Sequence, residues 1–115
     1  MVQNNLERDL KSIVGDRATI SQFECWFYSR DLMPIPSVVR NLFKTTPDAV
    51  VRPQSTSEVA AIARYCHQQS IPIVPRGAGS SGLFGAVPKK GGVVLDLTDL
   101  TQIIEIDMAG ETITA

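Results

Sequence analysis

The residues best suited to chemistry lie at 71–85, IPIVPRGAGSSGLFG, where an apolar run gives way to clustered glycines, Ser80, Ser81 and Arg76. Glycine loses more conformational entropy on ordering than any other residue, so such a loop lowers stability unless its backbone must come where a Cβ is forbidden. Consecutive amides freed from side chains curve into a concave nest of donors that holds a phosphate oxygen without a helix. Ser80 and Ser81 add hydroxyl donors, and the glycines admit a diphosphate to hydrogen-bonding distance of the main chain. The loop is expected to be an anion cradle, against the alternative of a long flexible connection between strands. Arg76 either offsets the charge of that anion or pairs with a carboxylate such as Asp96.

Standard phosphate motifs do not account for the loop. Gly77, Gly79 and Gly82 satisfy GxGxxG, with Asp96 near the distance of a ribose-binding carboxylate, but that fold opens a long helix at the last glycine. LFGAVPKKGG follows instead, and Gly85, Pro88, Gly91 and Gly92 oppose such a helix. No GK[ST] occurs, and a kinase-type glycine loop requires flanking strands in a hairpin. Asp96, Asp99, Glu105 and Asp107 are spaced for strand ends and exposed faces, so no catalytic pair is assigned to them. His67, alone of its type, falls on the outer helix face. Cys25 and Cys66 have neither CxxC nor zinc-ligand spacing and are read as buried thiols. Lys89 and Lys90 mark a solvated turn.

The elements that must position the loop follow from hydrophobic period and punctuation. Leu6, Leu10, Ile13 and Val14 share a helical face over 4–14, closed by Gly15. A second helix starts near Ser21, which with Glu24 makes a capping-box pattern, and Phe23, Trp26 and Phe27 are expected to face a core. DLMPIPSVVRNLFKTTP, 31–47, reads as an irregular connector, with a boundary near 47. AVV at 49–51 is a strand stopped by Arg52 and Pro53. Ser55 and Glu58 then cap a helix whose buried stripe is Val59, Ile62, Ala63 and Cys66 and which ends before Pro72. IPIVP, 71–75, is a second strand, with Pro72 suited to a strand end or edge. The resulting βαβ unit opens the glycine loop at the carboxyl edge of parallel strands, where ligands commonly sit. GGVVLDL at 91–97, IIEID at 103–107 and ETITA at 111–115 are further strands, and the last of them predicts a chain cut inside a larger domain.

With 115 residues, 43% hydrophobic and 20% charged, the chain fits one core. The formal charge of -1 and the lack of a basic stripe argue against nucleic acid as a partner. No apolar run approaches the ~20 residues of a membrane span, and MVQNNLERDLK lacks a secretory segment, so a cytoplasmic protein is expected.

The run PDAVVRPQSTSEVAAIARYCHQQSIPIVPRGAGSSGLFGAVP, followed by GGVVLDLTDLTQIIEID, resembles the start of the FAD-binding domain shared by vanillyl-alcohol oxidase and p-cresol methylhydroxylase. Within that superfamily it is most similar to the branch of the glycolate oxidase GlcD subunit and D-lactate dehydrogenase. YSRDLMPIP resembles that branch's lead-in. The resemblance implies an α+β fold: a helical lead-in over 1–47, then a small βαβ-containing mixed sheet over 48–115 that forms the first subdomain of the FAD-binding domain, incomplete at its C-terminus. It implies that Arg76, Gly77, Ala78, Gly79, Ser80, Ser81 and Gly82 bind the FAD pyrophosphate. It also implies a 2-hydroxy acid oxidoreductase whose flavin does the redox chemistry, with catalytic and any metal-binding residues beyond Ala115. The partners implied are FAD and either the missing C-terminal portion or a separate subunit, and self-association would cover exposed apolar faces. Relatives often continue with small residues where this chain has Leu83 and Phe84, and Phe84 either packs under the loop or faces the flavin.

Overall fold

The computed structural model describes residues 2–34 and 36–115. Met1 and Ile35, both within the predicted lead-in, lie outside them. Helix α1 runs from Val2 to Val14 and buries Leu6, Leu10 and Val14, one residue per turn on one face. Gly15 at φ +62 ends it, as its freedom from a Cβ allows. A 3-10 turn at Gly15–Arg17 leads into β1, Ala18–Thr19, a two-residue strand with no sequence signal.

Strands β2 (Ala49–Val51), β3 (Ile73–Arg76) and β4 (Val93–Asp96) complete a four-stranded sheet in the order β1-β2-β4-β3. β4 lies between β2 and β3 and is parallel to both, while β1 is antiparallel to β2. Helix α4, Thr56–Gln68, connects β2 to β3, and Ser55 Oγ accepts from the N–H of Glu58 as the sequence predicts.

The period-two alternation divides the sheet between two cores. Ala49, Val51, Val93 and Leu95 face Leu6, Leu10, Val14, Ile62 and Cys66. Val50 and Val94 face the other way, against Cys25, Tyr28 and Val74. Val50, Val51, Val93 and Val94 are fully enclosed, each contributing about 1.5–3 kcal/mol relative to exposure. Ala63 is exposed and does not join the α4 stripe. Burial pushes both free thiols upward, that of Cys66 to about 11.

The second face is covered by α2, Gln22–Phe27. Two expectations fail there. Ser21 does not cap the helix with its side chain, and Glu24 bonds Arg52 instead. Phe23, Trp26 and Phe27 are 74%, 50% and 55% exposed, because the turn toward the sheet belongs to Cys25 and Tyr28. The connector also departs from the irregular reading: Pro36, at an N-terminal position where proline is tolerated, introduces α3, Ser37–Leu42.

Gly91 and Gly92 precede β4 at φ +67 and +82. A Cβ on Gly92 would lie 2.2 Å from the Pro72 carbonyl oxygen, so only glycine fits between β4 and the start of β3. Beyond β4, β5 (Glu105–Asp107) and β6 (Thr112–Thr114) form a separate antiparallel hairpin whose residues are all exposed. The radius of gyration is 15.6 Å, above the ~13 Å of a compact chain of this size.

Candidate functional site

The glycine loop leaves the carboxyl end of β3, at the edge where all three parallel strands stop. Each strand delivers a charged residue there: Arg52 just after β2, Arg76 at the end of β3 and Asp96 at the end of β4. Their even numbering places them on the α2 face, in line with Val50, Val74 and Val94.

Gly79 and Gly82 take φ +67, a region that side chains disfavour. Among the described residues, the N–H groups of Gly77 through Leu83 find no acceptor in the protein. The hydroxyls of Ser80 and Ser81 are likewise untied to other protein groups, and both residues are exposed. Gly77 and Ala78 are exposed as well, Gly79 is half-buried and Gly82 is buried. A run of consecutive amides with no internal partner, beside two free hydroxyls, is a donor array suited to an anion. These residues fit a diphosphate.

Arg76 lies against this loop. Its side chain is buried, Nη1 donates to the Arg30 carbonyl at 2.7 Å, and its guanidinium carbon lies 5.1 Å from the centre of the Tyr28 ring. A Cβ built on Gly79 would meet Nη2, Cζ and Nε at 2.6, 2.7 and 2.9 Å, so the guanidinium lies directly against the glycine.

The expected alternative partner, Asp96, is taken by other groups. It is buried and accepts from the Tyr28 hydroxyl, from the Thr98 N–H at 3.0 Å and from the Thr98 hydroxyl at 2.6 Å. Arg52 Nε stands 3.9 Å away, while its Nη2 donates to Glu24 at 2.9 Å. Burial alone raises a carboxyl pKa, but the bonds from Thr98 and Tyr28 and the Arg52 charge outweigh it and hold Asp96 below the usual carboxylate range. Burial and the neighbouring Asp96 raise the Tyr28 phenol. A Rossmann-type ribose role for Asp96 therefore has no support, and no helix follows Gly82.

The lead-in braces the far end of the loop. Asp31 accepts from the Phe84 N–H at 2.9 Å and from the Met33 N–H at 3.0 Å, and Met33 Cβ lies 3.8 Å from where a Gly82 Cβ would stand. Phe84 itself is held at φ +60, an unusual conformation for an aromatic residue. Half-buried, it lines an apolar cleft of about 340 Å³ with Phe43, Leu83 and Val87.

Tyr28, Arg30, Asp31, Arg52 and Asp96 were not assigned to the site from sequence. The available signal was positional: Arg52 and Asp96, like Arg76, each follow a short apolar strand. His67, Asp99, Glu105 and Asp107 are exposed and stand apart from the loop's partners. Among the described residues no group of His, Cys, Asp and Glu is arranged to hold a metal ion, and no helix is long and apolar enough to cross a membrane.

Residues 47–115 match the family model of the FAD binding domain. Glycolate oxidase subunit GlcD of Bacillus subtilis (strain 168) is 40% identical over 72 residues, covering 63% of this chain and 15% of that protein. GlcD of Escherichia coli (strain K12) is 30% identical over 94 residues, covering 82% and 19%. D-lactate dehydrogenase of Anaerostipes hadrus is 39% identical over 64 residues, covering 56% and 14%. Of solved structures, substrate-bound p-cresol methylhydroxylase superposes with a TM-score of 0.74 at 26% identity over 90% of this chain and 20% of that one. An alkyldihydroxyacetonephosphate synthase shares the fold, with a TM-score of 0.70 at 22% identity over 90% and 22%. The chain thus spans less than a quarter of the length of each of these proteins.

Proposed function

The chain belongs to the FAD-binding domain family, and from that premise we propose that it is the pyrophosphate-holding part of an FAD-linked 2-hydroxy acid oxidoreductase of the glycolate oxidase or D-lactate dehydrogenase type. One observation carries this reading: the unpartnered amides of Gly77–Leu83 at the carboxyl edge of the parallel strands. When bound, the flavin supplies the electron-accepting chemistry.

The chain's own contribution is binding and orientation. The amides of Gly77, Ala78, Gly79 and Gly82 and the amides and hydroxyls of Ser80 and Ser81 donate to the diphosphate, while Arg76 supplies positive charge. Asp31 and Met33 hold the loop's far end, which limits the entropy lost when the ligand binds.

No residue of the chain is assigned to substrate oxidation. We place that step in further polypeptide, either a continuation of the chain or a separately encoded catalytic subunit. The exposed Ile104, Ile106 and Ile113 of the hairpin support such a meeting surface, with self-association as the alternative way of covering it. We set the division between lead-in and FAD-binding subdomain at residue 47 and the location in the cytoplasm, in keeping with the free thiols.

Titration of FAD and of ADP into the chain, followed through backbone amide resonances, tests the reading. The shifts are expected to cluster at Gly77–Gly82 and to vanish in Gly79→Val. Shifts confined to other segments count against it.

A further inference from the structure

We infer that Arg76 is a positioning residue that acts through Gly79: a buried cation beneath the loop that tunes it for a diphosphate without touching that ligand. The inference rests on the reading of the loop as a diphosphate cradle and adds how its charge is supplied.

Arg76 is 8% exposed, yet among the described residues no carboxylate lies within 4.0 Å of its guanidinium. Buried charges are ordinarily paired. Its contacts are instead the Arg30 carbonyl, the Tyr28 ring and the backbone of Gly79. The nearest carboxylate by strand register, Asp96, is occupied by Tyr28, Thr98 and Arg52. The guanidinium thus lies near the Tyr28 ring and directly against Gly79, within the loop whose amides are unpartnered. An anion seated on those amides would supply the counter-charge that this buried guanidinium lacks. A planar, permanently charged group fits the slot between ring and backbone, as a lysine ammonium does not. Gly79 suits this place because a side chain there would displace the guanidinium and would be strained at φ +67.

The test titrates inorganic pyrophosphate, ADP and uncharged adenosine into the full chain, reading the Gly77–Gly82 amides and the Arg76 Nε–H resonance. Pyrophosphate and ADP are expected to move both sets with one dissociation constant, and adenosine neither. Arg76→Met is expected to weaken pyrophosphate binding roughly tenfold and to reduce its salt dependence. Arg76→Lys should recover part of the loss. Should Arg76→Met fail to fold, the Nε–H signal of the unmodified chain decides: a resonance that stays still while the loop amides saturate overturns the inference. Equal affinities in Arg76→Met and the natural chain overturn the role of Arg76 and leave the cradle standing. Loop amides that ignore both anions overturn the cradle and this inference together.

Discussion

Two glycine clusters stand fifteen residues or fewer apart, and the fold uses them in opposite ways. At Gly91–Gly92 the missing Cβ serves the fold itself. Asp48 and Lys44 crowd Gly91, the Pro72 carbonyl crowds Gly92, and the Gly92 N–H is already bonded to Asp48 at 2.7 Å. At Gly77–Gly82 nothing stands within 4 Å of a Cβ on Gly77, the neighbour of Gly79 is the far end of one side chain, and the amides are unspent. A glycine pressed against backbone with its N–H satisfied serves the fold, as Gly92 does; one that meets side chains at most and keeps its N–H unsatisfied is available to a ligand.

The sharpest way to break that distinction is Gly92→Ala. A backbone oxygen 2.2 Å from the new carbon, together with φ +82, predicts a loss of about 2–6 kcal/mol, read as a fall in the urea midpoint. A variant as stable as the natural chain would show that the strand start yields. Gly79→Ala should cost less, about 1–3 kcal/mol for its positive φ, while FAD affinity falls about tenfold or more through displaced donors and a shifted Arg76. The reverse pattern, unaltered affinity with a large loss of stability, would make Gly79 structural. Gly77→Ala should change stability by no more than ~0.5 kcal/mol, since its Cβ enters open space; a thermal melt checks it.

The smallest effect concerns the clamp between lead-in and helix on the structural side of the sheet. Arg17 grips Glu58 through two bonds of 2.6 and 2.7 Å, and the Gln54 N–H adds a third at 2.7 Å. The Arg17 bonds, then the Gln54 bond, lower the Glu58 pKa from its ordinary 4.5 to about 2. The unfolded chain therefore binds more protons than the folded one across that interval, so stability rises with pH there. The contribution is present above pH 4.5 and is lost as pH falls through about 2. Glu58→Gln should flatten the slope of stability against pH in that window and leave the slope above it unchanged.

The α1 stripe, the Ser55 cap and the strands β2, β3 and β4 were legible because their signals are local: a period of apolar residues, a hydroxyl before a helix, a proline after it. The outward aromatics of α2 were not, because Phe23, Trp26 and Phe27 repeat at helical spacing just as Cys25 and Tyr28 do, and only the sheet decides which set it covers. β1 has two residues and no period, and the prolines that suggest an irregular connector include Pro36, which starts α3. In the candidate site, the loop was readable from glycine content. Its supports were not: the Arg30 carbonyl beneath Arg76 is 46 residues distant, and Asp31 is 53 residues from Phe84.

The placement of β3 at the sheet's margin has one further result. The carbonyls of Pro72 and Arg76 accept from Val93 and Leu97, so the intervening odd-numbered peptides turn outward, and there Pro75 has no N–H to offer an incoming chain. The opposite margin, β1, presents only two residues. Edge-to-edge pairing with a further strand is thereby discouraged on both flanks of this sheet.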